Sequence, residues 1–359
     1  MSRRRQKQQS GWVWVFLFIM LFLAFAYVLF SWQEQAVPAP ASETGGSLEV
    51  HFIDVGQADA ALVICDGHYM LIDGGNAEDS RLVYTYLEEH DAKHLDCMVA
   101  THAHEDHIGG LSGALNYASV DAALCPVTEY DSKVFRNMVK YLEKQGKSVT
   151  VPQPGDKFSL GSARIEIIGP VKEYDDVNNT SIVLRIDYGE TSFLFTGDME
   201  TEAEEDLIDS GANLSADVLK AGHHGSDTST GYRFLREVMP EYAVISVGEG
   251  NKYGHPSEEV LSRFRDAGAE VFRTDMQGHI VAKSDGKTVT FTTEKEADTA
   301  ANPTDNSTSH AYIGNAGSKK FHLPDCASVE SIKEDNRVEF SSRAQAIAEG
   351  YKPCGRCKP

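Results

Sequence analysis

THAHEDHIGG, residues 101–110, sets three histidines, one glutamate and one aspartate within positions 101–107. The preceding LDCMVA (95–100) reads as a buried strand, and the following IGGLSGALNYA reads as the start of a helix. His102, His104, Asp106 and His107 therefore sit at a strand-to-helix turn, where side chains converge. Alternate residues of an extended turn point to one side, so His102 and His104 suit one ion. Asp106 and His107, beyond the bend, suit a second. Imidazole and carboxylate together fit Zn, Mn or Fe.

Outward from this turn, short apolar strands recur: ALVIC, YMLIDGG, RIEIIGP, SIVLRIDYG, SFLFTGD, YAVISVG and EVFRTD. Helical patterns fall between them, including SRLVYTYLEEH, VFRNMVKYLEKQG, ETEAEEDLIDSG and SEEVLSRFRDAG. Mixed strands and helices over residues 47–292 predict one layered α/β domain. Residues 33–46 and 293–311 are polar or rich in Pro, Ala, Ser and Gly, and read as linkers. Residues 312–359 form a small final module.

The N-terminus predicts a compartment. Residues 1–10 are basic and residues 11–32 carry no charge, long enough for a membrane-spanning helix. The basic flank should stay cytoplasmic, leaving the domain outside the cell. The apolar run exceeds the roughly 7–15 residues of a signal-peptide core, so a single-pass anchor is expected. The net charge is −21. Residues 319–359 hold eight Lys/Arg against six Asp/Glu, a net of +2, so the rest carries −23. Such a body does not draw polyanions at long range, which argues against nucleic acid as a partner. Cys65, Cys97 and Cys125 read as buried thiols. Nothing in the sequence points to a protein partner.

THAHEDHIGG resembles the signature of the metallo-β-lactamase superfamily. FIDVGQADA (52–60), LIDGG (71–75), FTGD (195–198), LKAGHHGS (219–226) and SVGEGNKYGHPS (246–257) resemble, in order, the metallo-β-lactamase domain of ComEC-type competence proteins. The resemblance implies a four-layer αββα sandwich with two divalent metals, Zn or Mn, at one edge. It implies that Asp198 bridges them and that His223 or His224 completes the second site. Two departures stand out. Ala58 replaces the second glycine of DVGQGD, and VNNTSIVL (177–184) replaces a further histidine, so Asn178 or Asn179 is expected to offer a carbonyl oxygen. Two such ions would supply hydroxide for attack on phosphorus, with Asp106 in the catalytic set. Lys220, Ser226, Asn251 and Tyr253 are then candidates to hold phosphate oxygens, and His255 to protonate the leaving oxygen. Asp54 and Asp73 are expected to orient the histidines.

In the final module, Cys354-x2-Cys357 has a zinc-knuckle spacing, and His322-x3-Cys326 offers the second half. A strained Cys354–Cys357 disulfide is the alternative. A module this small needs a staple. The text resembles the zinc-binding module of the Ada DNA-methyl-repair protein. Ada uses four cysteines, so His322 departs from it and argues against methyl transfer. Lys319, Lys320, Arg337, Arg343, Arg356 and Lys358 suit DNA contact.

These readings predict a membrane-anchored extracytoplasmic metal-dependent phosphodiesterase acting on DNA as a nuclease. The alternatives are a hydrolase of nucleotides or of wall teichoic-acid phosphodiesters and esters, and a non-catalytic DNA- or wall-binding protein.

Overall fold

The computed structural model describes residues 46–296, 312–322, 326–340, 346, 349–354 and 356–357. The basic flank, the apolar span 11–32 and most of both linkers lie outside these residues. Among the described residues, no helix is long and apolar enough to cross a membrane.

Two sheets face each other. The first has the order β15-β14-β1-β2-β3-β4-β5-β6. Its strands are β1 (Leu48–Phe52), β2 (Ala61–Cys65), β3 (His68–Ile72), β4 (His94–Val99), β5 (Ser119–Leu124), β6 (Val149–Thr150), β14 (Ile280–Ser284) and β15 (Val289–Thr293). The second has the order β13-β12-β11-β10-β9-β8-β7. Its strands are β7 (Lys157–Leu160), β8 (Ala163–Gly169), β9 (Val183–Tyr188), β10 (Thr191–Phe195), β11 (Val218–Lys220), β12 (Tyr242–Ile245) and β13 (Glu270–Arg273).

The period-two pattern assigns each strand's two faces. Leu48, Val50, Phe52, Leu184, Ile186, Phe193 and Phe195 fill the space between the sheets. Leu62, Leu71 and Met98 point outward beneath α1 (Ser80–Glu89), α3 (Leu111–Tyr117) and α4 (Lys133–Lys144). Val183, Leu194, Leu219 and Ala243 point outward beneath α5 (Thr201–Asp209), α6 (Tyr232–Val238) and α7 (Glu258–Ala267). The result is the expected αββα layering, because both faces of each sheet are apolar and each needs a cover. The helices start where capping chemistry dictates. Ser132 Oγ accepts the Phe135 N–H at 3.1 Å and Ser257 Oγ accepts the Val260 N–H at 3.3 Å.

Parallel pairing gathers the chemistry at one edge. Ile72, Val99 and Leu124 are neighbours at the C-terminal ends of β3, β4 and β5. Phe195, Lys220 and Val244 are neighbours near those of β10, β11 and β12. Asp73, His102, Asp198, His223 and Ser246 all follow these ends. Open α/β sheets bind ligands at such an edge.

The C-terminal module is a four-stranded sheet of order β18-β16-β17-β19, from β16 (Tyr312–Asn315), β17 (Lys320–His322), β18 (Arg337–Phe340) and β19 (Lys352–Pro353). It rests on the sandwich: Tyr312 Oη donates to Asp266 at 2.5 Å and contacts Tyr232, whose hydroxyl also bonds Asp266 at 2.8 Å.

Candidate functional site

The turn after β4 is locked by its glycines. A Cβ on Gly110 would lie 2.0 Å from the Gly74 carbonyl oxygen, so only glycine lets THAHEDHIGG pass against LIDGG. Gly74 N–H reaches the His107 carbonyl at 2.7 Å and Asp59 N–H reaches that of Asp106 at 3.0 Å. The short helix α2 (Glu105–Ile108) follows directly. Ala58 is buried and is not among the positive-φ residues, so its methyl is accommodated.

Asp198 is the centre of the site. It is 2% exposed, its N–H is held by Ser181 Oγ at 3.0 Å, and four imidazoles surround it. His107 Nε2 lies 3.2 Å from Oδ1. His102, His223 and His224 approach Oδ2 through Nε2 at 3.9, 3.7 and 3.7 Å. His104 Nδ1 is 3.1 Å from His102 Nε2. His224 Nε2 is also 3.4 Å from Asp106. His223 and His224 both take left-handed backbone conformations, φ 47° and 53°. Two consecutive non-glycine residues in that region store strain at a functional site, and here the strain turns both rings onto one carboxylate.

The donors fit cations. Ligand atoms of Asp106, His107, Asp198 and His224 all lie within 4.8 Å of one another. His107 Nε2, His224 Nε2 and Asp198 Oδ1 are buried without a well-aligned hydrogen bond. Buried polar atoms are ordinarily satisfied, and a shared cation is the partner this donor chemistry matches. His102, His104 and His223, with Asp198, supply a second set. Both members of the HHGS pair thus face the Asp198 carboxylate, where one was expected to.

Electrostatics agree with that reading. Burial works against charge on His107, but Asp198 and Asp73 outweigh it and raise its pKa well above the ordinary value. Burial likewise opposes charge on His224, yet Asp198 and Asp59 raise it to about 10. Burial would raise Asp198, but His107 and His224 hold it well below the usual carboxylate range. Without cations the site holds protons where positive charge is wanted.

The supporting layer differs in part from expectation. Asp73 does orient His107, accepting its Nδ1–H at 2.8 Å while Thr101 N–H and Oγ1–H donate at 2.8 and 2.7 Å. Asp54 does not orient a histidine of the site: its carboxylate accepts the Gly56 N–H and closes a turn. Asp59, not singled out in the sequence, faces His224 Nδ1 at 3.3 Å. Its other oxygen accepts from Lys220 at 2.8 Å. Lys220 is therefore 4% exposed and committed to Asp59, and the expected phosphate contact does not form. Asn179 is not aimed at an ion either. Its Oδ1 accepts the Glu200 N–H at 2.9 Å. Asn178 and Thr228 donate to Glu200 Oε1 at 3.3 and 3.0 Å, and that oxygen lies 3.1 Å from His223 Nδ1. The Asn-Asn-Thr-Ser turn thus acts through Glu200 upon His223.

The remaining substrate-side residues divide. Ser226 is buried and bonds Thr228. Asn251 spends its amide bracing its own loop, donating to the carbonyls of Gly248 and His255 and accepting from the N–H groups of Tyr253 and His255. Neither presents its side chain to a ligand. Tyr253 is 61% exposed and stacks on His255, ring centroids 5.7 Å apart. His255 lies 5.8 Å from the His223 ring. Burial and then His223 and His224 lower its pKa, so it is neutral near pH 7 and suits hydrogen-bond acceptance better than acid catalysis.

Asp59→Ala strands the Lys220 ammonium in the interior. Breaking one side of a buried pair costs about 3–5 kcal/mol. Urea unfolding should record that loss in Asp59→Ala, and Asp59→Ala with Lys220→Met should recover much of it. Equal midpoints for wild type and Asp59→Ala would refute the pairing.

In the C-terminal module, His322, Cys326, Cys354 and Cys357 offer ligand atoms within 4.8 Å of one another. Among the described residues no cysteine is in a disulfide, so Cys354 and Cys357 do not form the alternative bridge. Cys326 Sγ is 3.6 Å from His322 Nδ1, and the Arg356 N–H points at Cys354 Sγ at 3.3 Å. Although burial opposes it, hydrogen bonds from Ser328 and His322 push the Cys326 thiol down to about 6. Three thiols and an imidazole fit a closed tetrahedral zinc.

The family model described as Metallo-beta-lactamase superfamily matches residues 53–249, and that described as Metal binding domain of Ada matches residues 297–359. ComE operon protein 3 of Bacillus subtilis (strain 168) is 29% identical over 271 residues, 70% of this chain and 35% of that protein. Competence protein ComA of Neisseria gonorrhoeae is 32% identical over 231 residues, 63% of this chain and 30% of that protein. The chain thus spans about a third of the length of these relatives. Among solved structures, the metallo-beta-lactamase fold protein YhfI from Bacillus subtilis aligns with a TM-score of 0.42 and 16% identity, over 64% of this chain and 97% of that one.

Proposed function

Since the chain belongs to the metallo-beta-lactamase superfamily, we propose that it hydrolyses phosphodiesters, with DNA as the substrate and the catalytic domain held outside the cell by the N-terminal span. The carrying observation is the convergence of four imidazoles on the buried Asp198 carboxylate. His102, His104, Asp198 and His223 would hold one cation, and Asp106, His107, Asp198 and His224 the other. When bound, such a pair activates water and neutralises charge on a phosphodiester in displacement. The chain's own residues do the rest. Asp73 fixes which nitrogen His107 presents, the Ser246 carbonyl bonds His224 Nδ1 with Asp59 beside it, and Glu200 faces His223 Nδ1. Exposed Tyr253, stacked on half-buried His255, offers a ring face at the site for the substrate to lie against. DNA is supported by a relative named for competence, and by the basic excess of residues 319–359. The acidic body favours a smaller substrate, such as a nucleotide or wall phosphodiester, as the second reading.

Purified protein loaded with Mn or Zn should cleave single- or double-stranded DNA, and Asp106→Ala should not. Hydrolysis of bis-p-nitrophenyl phosphate without DNA cleavage would move the assignment to the second reading. Metal bound with neither activity would overturn both.

A further inference from the structure

A groove of about 460 Å³ lies among the loops that follow β5, β6 and β8, a volume typical of small-ligand pockets. Sheet order places it there. The β4 end, which leads to His102, neighbours that of β5 through Val99 and Leu124, and β5 neighbours β6 through Leu124 and Thr150. The residues that follow β5 and β6, Pro126 and Val127 and then Val151 to Pro154, form one wall of the groove. In the other sheet, the end of β8 pairs with the start of β9 through Gly169 and Val183, and Leu184 of β9 pairs with Phe195, just before Asp198. Pro170 to Tyr174, after β8, form the facing wall. Thr180 and Ile182 close the groove on the metal side. Between them sits Ser181, whose Oγ holds the Asp198 N–H and lies 3.4 Å from His102 Nδ1. The groove and the His102 side of the site share a single strip of chain.

We infer that this groove seats the nucleobase and sugar of the nucleoside attached to the scissile phosphate, an inference that rests on the phosphodiesterase reading. Four prolines and four aliphatic side chains contribute to the lining. They offer flat apolar faces and, at the prolines, no N–H donors. Lys172, the cation among the lining residues, is already paired with Glu202 at 3.2 Å and Asp206 at 2.7 Å. Its ammonium also lies 4.9 Å from the Tyr174 ring centroid. A second phosphate would find no uncommitted cation there and would meet the Glu173 carboxylate, and a quaternary ammonium would find the Tyr174 face taken. A neutral heteroaromatic ring meets walls it can stack on without bringing charge into an acidic body.

The test uses the full-length metal-loaded protein and two diesters with one leaving group, thymidine 5′-(p-nitrophenyl) phosphate and methyl p-nitrophenyl phosphate. Val151, 40% exposed on the groove wall, can be changed to Asp without opening the core. Val151→Asp should raise KM for the thymidine diester about tenfold, as for loss of one stacked base, and leave both constants for the methyl diester unchanged. Equal effects on both diesters, or equal KM for both in the wild type, would overturn the groove assignment while sparing the phosphodiesterase reading. Equilibrium dialysis of thymidine 5′-phosphate separates the two further. If neither diester turns over but Val151→Asp weakens this binding, the groove stands and the reaction assignment falls. Unchanged binding sinks the groove in either case.

Discussion

Asp198→Asn is expected to lower affinity for the catalytic cations by about 10³-fold, beyond the 10–100-fold typical of residues that only orient ligands, and hydrolysis should fall with it. The expectation comes from position. Asp198 is the one carboxylate that all four converging imidazoles approach, so its charge serves both cation sets at once. Asparagine keeps the shape and one acceptor oxygen but removes the negative charge that would balance the cations in a buried site. Asp73→Asn is the comparison. It leaves Asp198 intact and alters how His107 and Thr101 are held, so its loss should stay within the smaller range. Bound metal, counted by mass spectrometry after dialysis against limiting Mn or Zn, reads both variants without turnover. Because Asp198 and its acidic neighbours raise the pKa of His107 and His224 against burial, loading should release protons and weaken as pH falls. Equal metal content in Asp198→Asn and wild type would remove Asp198 from the centre of the site.

What could be read from the sequence followed local pattern. Continuous apolar runs in ALVIC and SFLFTGD marked strands with two apolar faces, and the helix that VFRNMVKYLEKQG suggested forms over Lys133–Lys144. The ligand types in THAHEDHIGG were visible because three histidines in one turn have few other uses. The supporting layer was hidden because it is assembled across long separations. Asp59 and Lys220 lie 161 residues apart and meet only when β11 packs beside the loop after β1. Glu200 looked like one more acid at the start of an acidic helix, and only the fold brings it to His223. Asn179 and Lys220 were misread for one reason: residue type suggested a ligand or phosphate contact, while burial committed each polar group to a neighbour in the protein. Tyr232 and Tyr312, joined through Asp266, carry no sequence signal that the last module docks on the sandwich.

Cys354→Ser should unfold the C-terminal module while leaving the sandwich intact. The module's apolar core is small: Tyr312, Phe321, Phe340, Ala346 and Tyr351 in one cluster, and Ile313, Val329 and Ile332 around the cysteines in the other. Cores of that size rarely hold a fold alone. A structural zinc contributes about 10–16 kcal/mol in comparable small domains, more than these side chains supply. Serine cannot replace the thiolate, and the remaining three ligands leave the tetrahedron open. Amide hydrogen exchange reads the two parts separately. Protection across Tyr312–Asn315 and Arg337–Phe340 should vanish in the variant, whereas protection in Phe193–Phe195 and Val183–Tyr188 should persist, since no sandwich residue contributes to the four-ligand cluster. A chelator would not separate the two parts, because it would draw metal from both candidate centres. If the module stays protected without Cys354, its stability must come from the Tyr312–Asp266–Tyr232 contact with the sandwich. Tyr312→Phe in the Cys354→Ser background should then release it.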